Sequence, residues 1–377
     1  MEYQTAADQF KSNRRITTIQ KYGSGNVNDT FLVTTDSDEN GKIILQKVST
    51  RVFKNPELIS QNMRTITEHI SCRMEKTPII SGRRWETPRI IKTYNDKDFF
   101  IDSQGGFWRA FGFIESTKTI EKITTLESAR EAGFALGMFQ NLISDLSVNK
   151  LNVTLKGFHV TPAYLEYYEN IVEKTNLRNK TVDTSYCDSF IKARKNQMSI
   201  LEKAKKDGLL RLRPIHGDPK ISNILFDENS EQAVSIIDLD TVNAGLIHYD
   251  IGDCLRSCCN VAGEEVDNTD DVDFDIDICK QILKGYLEQA GAFLTKNDYL
   301  FIYDSVRLIT FELGLRFFTD YLRGNIYFKT TRKYHNLKRA LVQFKLVEKI
   351  ELLEKAIKRI IKNLTIEATT ESLKWYS

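Results

Sequence analysis

The sequence predicts an α+β protein of two lobes, and three observations carry that expectation. The first third alternates as strands do and holds a single helix. From Thr125 onward the apolar residues recur with helical period. A short β island, Arg213 to Asp240, is set among the later helices. A chain of 377 residues is too long for one ordinary small domain, and its 41% apolar residues supply a sizeable core. The lobe boundary is expected near Phe113–Ser116, giving lobes at 1–114 and 115–377.

The elements follow in order. Phe31 to Thr35, Lys42 to Val48, Phe99 to Ile101 and Phe107 to Ile114 are rich in β-branched and aromatic residues and read as strands. Asp36 to Gly41 has turn chemistry, so the first two form a hairpin. A helix starts at Asn55-Pro56, with proline suited to the first turn, and runs to about Cys72. Later helices are expected at Glu127–Leu146, Pro162–Lys174, Ser189–Lys206, Ile276–Ala290, Lys296–Phe318 and Thr331–Asn363.

Composition excludes several classes. Lys and Arg number 53 against 51 Asp and Glu, so no net field draws the chain to nucleic acid or membrane. Met1 to Arg15 lacks the apolar core of a signal peptide, and no stretch approaches the roughly 20 apolar residues of a membrane span. A cytoplasmic protein, monomeric or weakly dimeric, is the expectation. Six unevenly spread cysteines do not form a disulfide framework. Cys254, Cys258 and Cys259 read as helix-packed thiols rather than metal ligands, because no His or further Cys stands at ligand spacing. The eight acids between Glu264 and Asp277 read as a solvated loop before a helix; the alternative is an acidic lip for a cationic substrate.

The decisive segment is His216-Gly217-Asp218-Pro219-Lys220-Ile221-Ser222-Asn223, followed by Ile236-Ile237-Asp238-Leu239-Asp240. It has His-x-Asp, an Asn five residues after the Asp, then an Asp after a short strand, the order of a kinase catalytic loop. Phosphoryl transfer needs a carboxylate beside the attacking hydroxyl and hard oxygen ligands for Mg²⁺. Asp218 is the candidate base, with Asn223 and Asp238 the metal ligands. Singly, Asp218 could be an Asx-turn residue, Asn223 a cap and Asp238 a strand end; jointly the pattern points to catalysis. His216 is given a structural role. In the first third, Gly23-Ser24-Gly25 precedes a strand and could bring backbone N–H groups to phosphate oxygens. Lys47 ends the next strand, where a kinase holds the α- and β-phosphates. Glu68, rather than Glu57, is the expected carboxylate partner of Lys47.

At these residues the chain resembles the aminoglycoside phosphotransferase superfamily, which includes choline kinases and has the protein-kinase-like fold. Within it the chain looks most like the bacterial N-acetylhexosamine 1-kinase branch. The resemblance spans nearly the whole length, through Gly25-Asn26-Val27-Asn28-Asp29-Thr30, Ile44-Leu45-Gln46-Lys47, Gly157-Phe158-His159, Ile237-Asp238-Leu239-Asp240-Thr241-Val242, Asp250-Ile251-Gly252-Asp253, Leu313-Gly314-Leu315-Arg316-Phe317 and Asn325-Ile326-Tyr327-Phe328-Lys329. It implies ATP and Mg²⁺ as cofactors, an adenine contact at the Phe113–Glu115 backbone, and a sugar contacted by Arg316, Tyr327 and Asp240. The chain departs from the branch at Asn26, where histidine is expected and which bears on the sugar pocket. It departs again at Gly217 and Pro219, beside the base. The expected activity is transfer of the ATP γ-phosphate to the anomeric hydroxyl of an N-acetylhexosamine. Rival readings are a kinase of an amino alcohol, another sugar or an aminoglycoside, or an inactive nucleotide-binding module. The intact base and metal ligands argue against the last.

Overall fold

The computed structural model describes residues 2–12, 15–23, 27–36, 41–77, 82–175 and 181–374, with side chains up to Ile366. Helix α1 (Glu2–Ala7) leads into strands β1 (Ile16–Lys21), β2 (Asp29–Thr35) and β3 (Lys42–Val48). Helix α2 (Pro56–Lys76) follows, then β4 (Ile90–Ile91), β5 (Phe100–Ile101) and β6 (Phe107–Gly112). The strands pair antiparallel in the order β1-β2-β3-β6-β4, with β5 also on β6. Side chains alternate between the two faces of this sheet. On one face Ile43 and Leu45, with Trp108 and Ala110, pack under Ala6, Ala7 and Phe10 near α1. On the other, Val48 and Phe107 pack on Ile59 of α2, and Ile44 and Phe111 join the cluster holding Met63, Ile66 and Ile70. Gln46 and Arg109 are register partners on this second face.

The rest is mostly helical. It comprises β7 (Thr117–Lys118), α3 (Leu126–Leu142), α4 (Thr161–Thr175), α5 (Val182–Arg194), α6 (Ile200–Lys206), β8 (Arg213–Ile215), β9 (Ile224–Asp227), β10 (Ala233–Ile236) and β11 (Asn243–Gly245). Then come α7 (Ile247–Cys259), α8 (Ile276–Ala290), α9 (Lys296–Leu300), α10 (Ile302–Leu322), α11 (His335–Leu352) and α12 (Glu354–Lys374). β9 lies between β10 and β7, and β8 pairs with β11. Helices α3 and α8 approach closely because glycines face the partner backbone. A Cβ on Gly133 would collide with the Ile282 carbonyl, and one on Gly285 with the Arg130 carbonyl. Gly133→Ala is therefore expected to cost about 2 kcal/mol. The melting temperature of the variant measures it, with activity per folded molecule retained.

The structure corrects several sequence expectations. β1 and α1 were not expected. Three long helices are each divided: Ser189–Lys206 at Lys195–Gln197, Lys296–Phe318 at Phe301 and Thr331–Asn363 at Leu353. Most of the turn at 36–41 lies outside the described residues. The acidic segment, expected as a solvated loop, is partly tied to the helices around it. Glu264 pairs with Arg256, Glu265 with His335 and Arg339, Asp267 with Arg332 and Asp273 with Lys349, while Asp275 caps α8. Cys254, Cys258, Cys259 and Cys279 are buried free thiols. Among the described residues no group of three or more His, Cys, Asp or Glu is arranged to hold a metal, and no helix is long and apolar enough to cross a membrane.

Candidate active site

The loop between β8 and β9 carries the base candidate. It turns at Gly217, whose φ of +88° favours glycine and where a Cβ would meet the Thr241 carbonyl oxygen at 2.7 Å. The turn is held from behind. The N–H groups of His216 and Gly217 donate to the two oxygens of buried Asp250 on α7, each at 2.8 Å. His216 Nε2 donates to the Ile237 carbonyl at 2.9 Å, and its Nδ1 accepts the Asp218 N–H at 3.2 Å. This supports the structural role read for His216.

Asp218 and Asn223 come together as the spacing predicts. Asn223 Nδ2 donates to the Asp218 carbonyl at 2.8 Å, and no described residue donates to its Oδ1. Lys220 Nζ lies 2.9 Å from Asp218 Oδ2. Burial opposes ionisation of Asp218, but the charge and hydrogen bond of Lys220 outweigh it and hold the carboxyl below its usual range. Asp238 follows β10 with φ +64°, a left-handed conformation that costs a non-glycine residue energy and turns the chain into the cleft. Its carboxylate receives no hydrogen bond from the described residues. The surrounding protein, then the charge of Asp240, push it up to about 7.

Asp240 is committed elsewhere. It is buried, Arg109 pairs with its Oδ1, and Asn28 Nδ2 donates to its Oδ2 at 2.7 Å. Gln46 Oε1 accepts from Arg109 Nη2 at 2.8 Å, and Gln46 Nε2 donates to Thr30 Oγ1 at 3.1 Å. Arg109 is 2% exposed, and its Nη1 has no acceptor among the described residues. Lys47, one residue from Gln46, points to the opposite face. There it pairs with Glu2 and lies 5.4 Å from the Trp108 ring centre. Glu68 pairs with Arg64 on its own helix, not with Lys47. The structure thus corrects two expectations: Lys47 and Glu68 do not form a cleft pair, and both oxygens of Asp240 are already bonded within the protein.

Beyond β6 the Phe113 N–H donates to the Lys42 carbonyl at 3.3 Å and the Glu115 carbonyl accepts from Arg84 at 2.8 Å. The Phe113 carbonyl and the Glu115 N–H have no partner among the described residues. Gly23 has φ +74°. Ser24, Gly25 and Asn26 lie outside the described residues.

Arg316 and Tyr327 meet in a cavity of about 240 Å³ lined also by Phe158, Tyr164, Tyr167 and Phe328. The guanidinium carbon of Arg316 stands 5.1 Å from the Tyr164 ring centre, 5.3 Å from Phe158, 5.6 Å from Phe328 and 5.9 Å from Tyr327. No described carboxylate pairs with it, although the charges of Glu312 and Asp218 reach it. Burial pushes the Tyr164 phenol up to about 12, so its hydroxyl remains a donor. Asp320 also lines the cavity, but its oxygens accept the backbone N–H groups of Ile326, Tyr327 and Phe328 at 2.8–3.0 Å and thereby fix the loop. Arg51, after β3, donates to the Ile326 carbonyl from above, at 3.3 Å.

Residues 18–274 match the phosphotransferase enzyme family. The chain belongs to that family. Among solved structures it is similar to an aminoglycoside phosphotransferase from Alicyclobacillus acidocaldarius, with TM-score 0.61 and 12% identity, covering 96% of each chain. It is similar to a microcompartment-associated aminopropanol kinase, with TM-score 0.61 and 14% identity, covering 95% of this chain and 98% of the other. The GDP complex of aminoglycoside 2'-phosphotransferase-IIIa matches with TM-score 0.53 and 13% identity, over 96% and 98%. These similarities show the α+β kinase-like fold, with an antiparallel sheet first and a helical region after it.

Within this phosphotransferase family member the structure gathers, on Asp218 and Asp240, residues that sequence reasoning did not single out: Gln46, Arg109, Asn28 and Lys220. Strand parity in the sequence does not separate the first two, because Ile43 and Leu45 make the Lys47 face of β3 as apolar as Ile44 and Val48 make the other; the pairing of β3 with β6 under α2 places Gln46 and Arg109 on the α2 side.

Proposed function

We propose that this protein is an ATP-dependent kinase of a sugar hydroxyl, most specifically the anomeric hydroxyl of an N-acetylhexosamine, with a sugar 1-phosphate as product. The observation that carries the acceptor is Arg316, boxed by four aromatic rings without a carboxylate. Aminopropanol and aminoglycosides bear amino groups, and a pocket for a cation wants free acids. Here the pocket's one acid, Asp320, is consumed by backbone donors, and four of the eight acids of 264–277 pair with basic side chains. A neutral sugar instead needs apolar ring faces and a few directed polar groups. Arg316 supplies donors for a carbonyl such as an N-acetyl group, and Tyr164 and Tyr327 supply rings and hydroxyls.

The residues fit a nucleotide and its metal. The unpaired Phe113 carbonyl and Glu115 N–H offer one acceptor and one donor to a purine edge. Arg109 Nη1, buried without an acceptor, suits a phosphate oxygen, with Gln46 and Asp240 holding the guanidinium flat. Asn223 Oδ1 and Asp238 are the hard oxygen ligands that would hold Mg²⁺, which when bound neutralises phosphate charge. Asp218 accepts the hydrogen bond of the acceptor hydroxyl and takes its proton as the oxygen bonds to the γ-phosphorus. The bond from that phosphorus to the β-phosphate breaks, and ADP leaves. Lys220 keeps Asp218 ionised.

The acceptor is tested by incubating enzyme, MgATP and a panel of N-acetylglucosamine, N-acetylgalactosamine, other hexoses, choline and an aminoglycoside. Phosphorus coupled to the anomeric proton is the expected result. Transfer to choline or an aminoglycoside with none to any hexosamine overturns it. The phosphate contact has its own test. Arg109→Lys keeps the charge but loses the planar fork, and it is expected to raise KM for MgATP about tenfold or more. Lys47→Ala, on the far face, is expected to shift it by less than about threefold.

A further inference from the structure

Two histidines hold the peptide that leads into Asp218, and their partners impose different protonation. His216 faces an acceptor, the Ile237 carbonyl, on Nε2 and a donor, the Asp218 N–H, on Nδ1. It is therefore the neutral Nε2–H tautomer, and burial lowers its pKa in agreement. His159 faces two acceptors. Its Nε2 is 2.8 Å from the Gly217 carbonyl oxygen and its Nδ1 is 3.0 Å from Glu312 Oε1. Glu312 Oε2 in turn accepts from Thr161 at 2.7 Å. Only an imidazolium donates on both sides, and the pair is sealed from water, with His159 5% and Glu312 1% exposed.

We propose that His159 is a positioning residue that, as a buried imidazolium, ties the Gly217 carbonyl to α10 and so sets the direction of the Asp218 carboxylate. The peptide between Gly217 and Asp218 is then gripped at both ends, its C=O by His159 and its N–H by His216. The clamp also joins the catalytic loop to the acceptor pocket. Glu312 stands one helical turn before Arg316 on α10, and Phe158, the neighbour of His159, lines the pocket. His159 itself has φ +61°, an uncommon conformation for a residue with a side chain, held here by the contacts on both ring nitrogens.

The charges around the ring favour the imidazolium. Glu312 and Arg316 lie on α10, Asp253 and Tyr249 on α7, Tyr164 on α4, and Asp218 follows the clamped carbonyl. Burial works against the charge, but the Glu312 hydrogen bond and charge, with Asp253 behind them, outweigh it and raise the pKa above 6.5. A raised folded-state pKa means the clamp is complete below about 6.5 and is lost as pH climbs through the higher folded value.

This inference rests on Asp218 as the base, and its first test needs no acceptor. In ¹⁵N-histidine-labelled protein at pH 7, two of the ring signals are decisive, assigned by loss in His159→Gln and His216→Gln. His159 is expected with both nitrogens protonated and His216 with one. A neutral His159 overturns the proposal, even if the variants fold poorly, because the reading is made on the wild type. The second test follows ADP release from MgATP with N-acetylglucosamine across pH 6–10. The wild type is expected to show a fall in kcat on the alkaline side. In Glu312→Gln the amide can donate to Nδ1, so a neutral His159 still donates to Gly217, and the alkaline fall disappears relative to that variant's own value at pH 6.5. His159→Gln is expected to lower kcat about tenfold or more, with KM for MgATP changed less than about threefold. An unchanged kcat in a folded His159→Gln, or an unaltered alkaline fall in both variants, overturns the positioning role. Failure of the acceptor assignment shows instead as no transfer by the wild type while the ring signals still read imidazolium.

Discussion

Asp218→Asn is expected to lower kcat by roughly 10²-fold or more while leaving the fold and MgATP affinity intact. The substitution is nearly isosteric. The backbone grip on the loop, through Asp250 and the two histidines, does not use the Asp218 side chain. What it removes is the acceptor for the substrate proton and the negative partner of Lys220. An amide cannot take the proton, and it offers the Lys220 ammonium a neutral oxygen in place of a charged one. Turnover is measured as ADP release and nucleotide affinity by calorimetry. Near wild-type turnover would remove Asp218 from the chemistry, whatever the acceptor proves to be.

The catalytic loop was legible because its chemistry is local. His216, Asp218 and Asn223 lie within eight residues, and a loop leaving β8 and entering β9 brings them together without distant help. The phosphate side was not legible for the opposite reason. Arg109 and its partner Asp240 are 131 positions apart. Their meeting depends on the register of β3 against β6, where a slip of one residue exchanges Gln46 for Lys47 on the cleft face. A lysine at the end of a strand satisfied the kinase pattern, and only the helix over the outer face, α1 with Glu2, shows where it goes. That helix escaped notice because its buried side chains are chiefly Ala6 and Ala7, too short a pattern to signal amphipathicity. The divided helices failed differently. The apolar period continues through Phe301 and Leu353, so the sequence marks which face is buried but not where the axis turns. The His159–Glu312 clamp spans 153 positions and was invisible to spacing, although both its segments fell in the regions of family resemblance or beside them.

Asp238→Ala is expected to abolish transfer or weaken productive MgATP binding by about tenfold or more, and chelation should stop the wild-type reaction. The environment of Asp238 is that of an anion lacking its counterion. Desolvation, then the charges of Asp240 and Asp218, raise its pKa, while Lys220 and Arg109, the cations that offset them, are bonded to those two aspartates. No described donor reaches its oxygens. A divalent cation held by Asp238 and Asn223 Oδ1 would relieve that crowding, and the relief is the physical reason for expecting metal here. The same argument predicts the stability effect. Removing the unpaired carboxylate in Asp238→Ala should leave the metal-free protein no less stable than the wild type, although activity is lost. Titrating Mn²⁺ or Mg²⁺ into both proteins with ATP present, and following melting temperature and turnover together, separates the two effects. Full activity in excess EDTA, or wild-type metal dependence in Asp238→Ala, would place the metal elsewhere.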